Sequence, residues 1–242
     1  MADKKISRPD VVLAIDSANT PLRIALACGG RIYKASRKGI KQEEYLFPAV
    51  KSLLKKAGIG MNDVGSVMVL RGPGRFTGIR IGLTFAAVMR ELNGTCVRAD
   101  TVFRALAWQT GHTKAYLNWK TANPQGLVCV VLHAFRGEYF CQFIEADGAA
   151  VREAEAPRWL PKAEMLDYIK AAKVALYCVG AAEHGAPLAG LLPQGMTVAP
   201  EKDCALDAGI LAAYAEFAPE AEVPVSPLYL KPARFEMTAA GK

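Results

Sequence analysis

The chain has 242 residues, of which 52% are hydrophobic and 22% charged, and its formal net charge is +7 at pH 7. This composition supports a substantial core in one large domain or in two domains of about 100–120 residues. No apolar stretch reaches the ~18 residues of a membrane span, and residues 1–9 are polar and charged. We therefore expect a cytoplasmic protein with no secretory signal and no membrane partner.

Three short strands are predicted first, at Val11–Asp16, Leu22–Ala27 and Arg31–Ser36. The third strand opens a basic run, Arg31–Lys41, within the first 80 residues, which hold 15 Lys or Arg against 6 Asp or Glu. Such a run is more typical of a solvated face than of a nucleic-acid site. It also lacks the interleaved aromatic residues of an RNA-binding platform, so we expect weak RNA binding by the chain alone.

A helix is predicted over Glu43–Ala57, because Leu46, Val50 and Leu53 recur at helical spacing and Gly58 supplies an end. The segment that follows carries the clearest signals for a strand, a turn and a helix in succession. A strand at residues 66–70 is predicted to end at Gly-Pro-Gly, because glycine and proline are the strongest local signals for the end of a strand or helix. A second helix, with Thr77 as its N-cap, is expected to end at residues 93–94, Asn-Gly.

Two interpretations compete for the start of this second helix. Backbone N–H groups there form an anion site, and three arginines surround it: Arg71, Arg75 and Arg80. The segment has neither the third glycine of G-x-G-x-x-G nor the G-K-[S/T] of a P-loop. A turn packed within one domain is the alternative to a phosphate site.

The second helix also carries a face of small residues, because Gly78, Gly82 and Ala86 recur every four positions. A second helix could approach this face at or below the usual ~8–10 Å axis separation. The two glycines cost a helix about 1 kcal/mol each relative to alanine, so we expect close packing to offset the loss. The neighbour could belong to this chain or to another.

A strand at Thr95–Ala99 and a helix at Val102–Gln109 complete the order βββαβαβα, and the second half is predicted to repeat this order. The predicted elements there are strands at 127–132, 138–144, 149–153, 174–179 and 196–199, with helices at 162–172, near Leu188 and at 205–217. The polar stretch 111–125 divides the halves. We expect one subdomain over residues 9–110, with the partner-binding helices, and a reduced one over 111–242, whose last segment packs back on the first.

Metal and disulfide chemistry are not predicted. The six cysteines have no C-x-x-C spacing, and no two of the three histidines are three or four positions apart. We interpret the cysteines as small buried apolar side chains in a reducing compartment.

A duplicated βββαβαβα order is the pattern of the actin, hexokinase and Hsp70 superfold, which is RNase H-like. The chain resembles the TsaB (YeaZ) family within it. The resemblance rests on the opening run 13–17, Leu-Ala-Ile-Asp-Ser, and above all on a signature similar to R-G-P-G-S-F-T-G-x-R-x-G-L. The matching signature-loop positions are Arg71, Gly72, Pro73, Gly74, Phe76, Thr77 and Arg80. Gly137-Glu138-Tyr139 and Pro227-Leu228-Tyr229-Leu230 also resemble family landmarks.

This resemblance implies a non-catalytic accessory subunit for N6-threonylcarbamoylation of the tRNA adenosine beside the anticodon. The implied partners are a TsaD-like catalytic subunit, a TsaE-like ATPase subunit, tRNA through the complex, and a second copy of the chain when it is alone. ATP and metal are expected on the partner subunits, and no cofactor or metal on this chain. The implied interface residues are Leu46, Val50, Leu53, Gly78, Gly82 and Ala86.

Three departures from the family pattern are visible: Arg75 in place of a small serine, Gln42 in place of a histidine, and residues 133–135, His-Ala-Phe, in place of Asp-Ala-Arg. The alternative function is a nucleotide-binding enzyme of the actin-like ATPase and kinase superfold. It would use Asp16 and Ser17, which the resemblance marks as a vestigial nucleotide site. Pro21 and Leu22 replace the glycine-rich turn that such an enzyme needs, and a structural role for Asp16 at the turn is favoured.

Overall fold

The computed structural model describes residues 10–39, 41–148 and 150–231. The chain forms two compact units. Among the described residues, one unit contains residues 10–105 together with Leu206–Pro227, and the other contains Leu106–Ala205 and residues 228–231. The predicted N-terminal stretch 1–9 and residue 149 of a predicted strand lie outside the described residues.

The first unit is built on a five-stranded sheet. Its strands are β1 Val12–Asp16, β2 Leu22–Cys28, β3 Arg31–Arg37, β4 Ser66–Leu70 and β5 Cys96–Asp100, in the spatial order β3-β2-β1-β4-β5. The first three strands pair antiparallel, whereas β1, β4 and β5 run parallel. Nearly every residue of β1 and β4 is buried, as expected for central strands covered on both faces.

Helices cover this sheet. They are α1 Gln42–Ala57, α2 Phe76–Asn93 and α6 Ala208–Tyr214, and a further helix, α3 Val102–Gly111, follows β5. Helix α1 packs on β2 and β3, α2 on β4 and β5, and α6 on β1 and β2. Gly58 and Gly94 adopt the left-handed conformation directly after α1 and α2, which confirms the two predicted ends.

The second unit repeats the sheet. Its strands are β6 Leu127–Phe135, β7 Glu138–Asp147, β8 Ala150–Glu153, β9 Arg158–Pro161, β10 Leu176–Ala181 and β11 Thr197–Val198, and its helices are α4 Lys114–Ala122 and α5 Lys162–Lys170. The order β8-β7-β6-β10-β11 has the same three antiparallel strands followed by two parallel strands. The duplication predicted from the sequence is therefore present in the sheets.

Several predicted elements need correction. Thr77 is not the N-cap of α2, because the helix begins at Phe76 and Arg75 precedes it without a side-chain cap. The helix expected near Leu188 is only a single 3₁₀ turn. Helix α4 and strand β9 were not predicted, because α4 lies in the polar stretch 111–125 and β9 has only four residues.

The buried cysteines behave as apolar side chains. All six are free thiols, and Cys129, Cys141 and Cys178 lie together in the core of the second unit. The Sγ atoms of Cys129 and Cys141 are 3.8 Å apart. Burial raises the pKa of Cys129 well above its usual value, so the thiol stays protonated.

Candidate interaction surface

In the first unit, the turn after β1 contacts both the Gly-Pro-Gly loop and the start of α2. Asp16, at the end of β1, is fully buried, and its carboxylate accepts hydrogen bonds from the backbone and side-chain amides of Asn19 at 3.2 Å. Arg23 on β2 lies 3.2 Å from the same carboxylate. Burial raises the pKa of Asp16, and Arg23 and Asn19 partly offset the rise. Asp16 therefore holds the turn together through groups of its own hairpin.

The Gly-Pro-Gly loop packs against this turn. The backbone N–H of Arg75 donates to the carbonyl of Ala18 at 2.8 Å, and the Arg75 guanidinium donates to the Thr20 hydroxyl at 3.0 Å. Gly74 has φ +158°, and a Cβ there would overlap the Ala18 carbonyl. The glycine is needed because the chain's own backbone approaches so closely.

The small-residue face of α2 meets the same turn. A Cβ at Gly78 would overlap the backbone carbonyl of Ser17, and a Cβ at Gly82 would overlap the Ser17 hydroxyl. Ala86 is fully buried. In this structure the turn after β1 takes the space that the two glycines leave, so the nearest neighbour of this face is the chain itself, and its contact with a partner helix stays a prediction.

The apolar residues assigned to the same interface are also internal. Leu46, Val50 and Leu53 of α1 are at most 1% exposed. They face the sheet, since α1 packs on β2 and β3. None of these three side chains can form part of an outer surface in this conformation.

The outer faces of α1 and α2 carry a different apolar set. Phe47 of α1 is 55% exposed, and Val88 and Leu92 of α2 are 41% and 77% exposed. The Phe47 ring contacts the Phe85 ring at a centroid distance of 5.2 Å, which joins the two helices. Val88 and Leu92 are one turn apart and lie on one helical stripe with Ile81. We call Phe47, Ile81, Val88 and Leu92 the helical ridge.

The remaining signature residues lie in the loop before α2 and in the first turns of that helix. Phe76 is 52% exposed, and the Arg80 guanidinium lies 4.3 Å from the centre of its ring. Thr77 is exposed in the first turn of α2, and Arg71 is partly buried. The loop itself is tied down where Val102 N–H donates to the carbonyl of Gly72 at 2.8 Å.

A buried polar network in the first unit was not predicted from the sequence. The Tyr214 hydroxyl donates to the Asp100 carboxylate at 2.5 Å, and Arg104 donates to it at 3.0 Å. Burial raises the pKa of Tyr214, so its hydroxyl is a permanent donor. Tyr214 and Asp100 are 114 positions apart, and no local sequence signal pairs them.

Two family landmarks come together in the second unit. Glu138, at the start of β7, forms an ion pair with Lys231, the residue that follows the run 227–230. Trp159 of β9 donates its indole N–H to Glu138 at 3.2 Å, and the Lys231 ammonium lies 5.2 Å from the Trp159 ring centre. These contacts attach the late segment to its own sheet.

Within the described parts of the chain, no three His, Cys, Asp or Glu side chains are placed to share a metal ion. None of the helices there has the length and apolar character needed to cross a membrane.

Comparison with known proteins finds relatives named for threonylcarbamoylation of tRNA or as YeaZ proteins. Residues 36–172 match the family model for TsaD, described as tRNA N6-adenosine threonylcarbamoyltransferase. The TsaB protein of Bacillus subtilis, named for tRNA threonylcarbamoyladenosine biosynthesis, is 25% identical over 66% of this chain and 66% of its own length. The Escherichia coli TsaB protein is 32% identical over 31% of this chain and 33% of its own length. The chain thus spans about two thirds of the first relative and a third of the second.

Two solved structures share the fold. A Pseudomonas aeruginosa protein described as similar to peptidase YeaZ has a TM-score of 0.70 and 22% identity, covering 92% of this chain and 100% of its own. YeaZ from Pseudomonas aeruginosa has a TM-score of 0.68 and 21% identity, covering 91% of this chain and 100% of its own. Together with the duplicated sheets, these matches confirm the predicted α/β fold with two subdomains.

Proposed function

Because this chain belongs to the TsaB (YeaZ) branch of the TsaD family of tRNA N6-adenosine threonylcarbamoyltransferase proteins, we propose that it is an accessory subunit in threonylcarbamoylation of tRNA. In this role it binds a TsaD-like catalytic subunit and has no transferase activity of its own. ATP and the metal are bound by the TsaD-like subunit and by a TsaE-like ATPase, and tRNA is modified on the assembled complex.

The observation that carries this proposal is the helical ridge. Its exposed side chains lie on two helices that contact each other and pack on one sheet. Exposed apolar side chains gathered on one surface mark protein interaction sites more often than scattered ones do. A helix pair of the catalytic subunit would cover this ridge, and two copies of the chain would pair through it when that subunit is missing.

The turn after β1 supports an accessory role over the alternative of a nucleotide-using enzyme. The glycines that could admit a phosphate group instead admit the carbonyl groups of Ser17 and Ala18. Carbonyl oxygens repel a phosphate, and Asp16 is already occupied by Arg23 and Asn19. The anion site considered at the start of α2 is therefore taken up by the chain's own backbone.

The test is a titration of this chain against the TsaD-like protein of the same organism. Full burial of a leucine side chain is worth about 1.5–3 kcal/mol, and most of Leu92 is still exposed. Leu92→Asp removes that gain and adds the cost of desolvating a carboxylate, so we expect at least about tenfold weaker binding. Leu117→Asp is the matched control, since Leu117 is an exposed leucine on α4 of the second unit.

The control should bind like the unchanged chain, and circular dichroism should show that both variants fold. Unchanged binding by Leu92→Asp, or equal losses in both variants, would contradict an interface at the ridge. Loss of the self-associated form in the Leu92→Asp variant, measured by light scattering, would show that both assemblies use one surface.

A further inference from the structure

We propose that the cleft between β3 and α1 is a docking site for the phosphate backbone of RNA. This inference deepens the proposed function, and it rests on that function for the identity of the RNA as tRNA. The cleft has a volume of about 270 Å³ and is lined by Arg37 of β3 and by Tyr45, Ser52 and Lys56 of α1.

The segment that forms the cleft is strongly positive. Residues 31–56 contain eight Lys or Arg and only two acidic residues, Glu43 and Glu44. Lys41 is paired with Glu44 and Lys34 with Asp207. Among the described residues, the other cations of this segment form no ion pair, and all are exposed. Arg37 and Lys56 line the cleft, whereas Lys38, Lys51 and Lys55 lie elsewhere on the same loop and helix and Arg31 lies at the far end of β3. A field of this kind concentrates a polyanion at the surface.

The lining of the cleft fits RNA better than a simple charged surface would. No carboxylate is among the described residues that line it. The Tyr45 ring is 40% exposed and offers a flat face against which a base or ribose can pack. The Ser52 hydroxyl adds a neutral donor of the kind that commonly contacts phosphate oxygens.

The loop after β3 brings further charge to the cleft. Gly39 has φ +143°, and a Cβ there would lie 3.4 Å from the Tyr45 ring. The chain therefore passes directly over the ring just after Lys38. Arg37 of β3 and Lys56 of α1 line the cleft with Tyr45, and Lys38 directly precedes the glycine over its ring, so one RNA backbone can be contacted at several phosphates.

The cleft and the helical ridge occupy different sides of α1. Tyr45 and Phe47 are two residues apart, which is about 200° around a helix with 3.6 residues per turn. Tyr45, Ser52 and Lys56 follow one flank, whereas Phe47 meets Phe85 of α2 on another. The chain can thus bind a protein through one flank of α1 and RNA through the other at the same time.

The test measures tRNA binding at about 50 and 200 mM salt by fluorescence anisotropy, with the chain alone and in complex with the TsaD-like protein. The variant Arg37→Gln/Lys56→Gln removes two cations from the cleft. The control Lys114→Gln/Lys202→Gln removes two exposed cations from the second unit, where the described residues give neither an ion pair. Net charge is therefore the same in both variants.

Each phosphate contact contributes about 0.9 to the slope of log affinity against log salt. We expect the cleft variant to bind tRNA about tenfold or more weakly at low salt and to lose nearly two units of that slope, whereas the control stays close to the unchanged chain. Equal losses in the two variants, or none in the cleft variant, would overturn the proposal. Cleft-dependent binding to vesicles of phosphatidylserine without binding to tRNA would also overturn it.

The affinity for the TsaD-like protein is measured on the same variants. It should not change in the cleft variant, because the helical ridge is intact. A chain that binds tRNA through the cleft but never binds the TsaD-like protein would contradict the proposed function alone, so the two failures are distinguishable.

Discussion

The packing of Gly82 against Ser17 gives a sharp prediction about the small-residue face of α2. In an exposed helix, Gly→Ala stabilises by about 1 kcal/mol. At Gly82 the new Cβ would overlap the Ser17 hydroxyl, while the Ser17 Cβ lies at an ordinary 3.8 Å. Overpacking of this kind costs about 1–3 kcal/mol. We expect Gly82→Ala to change the free energy of unfolding by between zero and a loss of about 2 kcal/mol.

Removing the hydroxyl should reverse the effect. In a Ser17→Ala background the overlap is gone, so Gly82→Ala should stabilise by about 1 kcal/mol. The two substitutions are then coupled by about 1–3 kcal/mol, measurable by urea denaturation of the four proteins. Gly78→Ala is the contrasting case, because its Cβ would overlap a backbone carbonyl that Ser17→Ala does not remove.

Two results would refute this packing. One is stabilisation by Gly82→Ala in the unchanged background, as expected for a solvent-facing glycine. The other is strict additivity of Ser17→Ala and Gly82→Ala. Either result would mean that Ser17 does not fill the small-residue face, so that this face is exposed and free to bind a partner helix.

Three further predictions concern buried and capping groups. Tyr214→Phe should destabilise the protein by about 1–3 kcal/mol, because the buried Asp100 carboxylate loses a donor; an unchanged urea midpoint would contradict this. Asp207 caps α6, and although burial alone would raise its pKa, Lys34 and backbone amides lower it overall. Asp207→Ala should therefore cost about 1 kcal/mol at neutral pH, and the difference should disappear as pH falls through the lowered pKa; a loss that persists in acid would argue against it. Burial raises the pKa of Asp16, so the unchanged protein should lose stability relative to the Asp16→Asn variant as pH rises through that pKa. Urea denaturation of both proteins at several pH values measures this difference. A gain in stability with rising pH would exclude a raised pKa.

Local signals in the sequence predicted much of the fold. Gly58 and Gly94 end their helices as expected, since a left-handed residue after a helix favours glycine. The Gly-Pro-Gly segment was correctly placed between a strand and a helix. The repeated strand order followed from apolar alternation and short turns. Each of these features depends on residues that are close together in the chain.

Features that depend on distant residues were assigned less well. The spacing of Gly78 and Gly82 predicted a close neighbour, but the sequence could not reveal that this neighbour is Ser17 rather than a helix of another protein. The ridge residues Val88 and Leu92 lie within the predicted second helix, but only the packing of α2 on the sheet shows that they face outward. The pairing of Asp100 with Tyr214 gave no sequence signal.

The most direct test of the accessory role is reconstituted tRNA modification, followed by mass spectrometry of the nucleosides. All reactions contain threonylcarbamoyl-adenylate and tRNA. The first contains this chain only, the second contains the TsaD-like and TsaE-like proteins together without this chain, and the third contains all three proteins. We expect modified adenosine only from the full set, and a loss with Leu92→Asp that follows its loss of affinity for the TsaD-like protein. Full modification by this chain alone, or by its partners without it, would contradict the account.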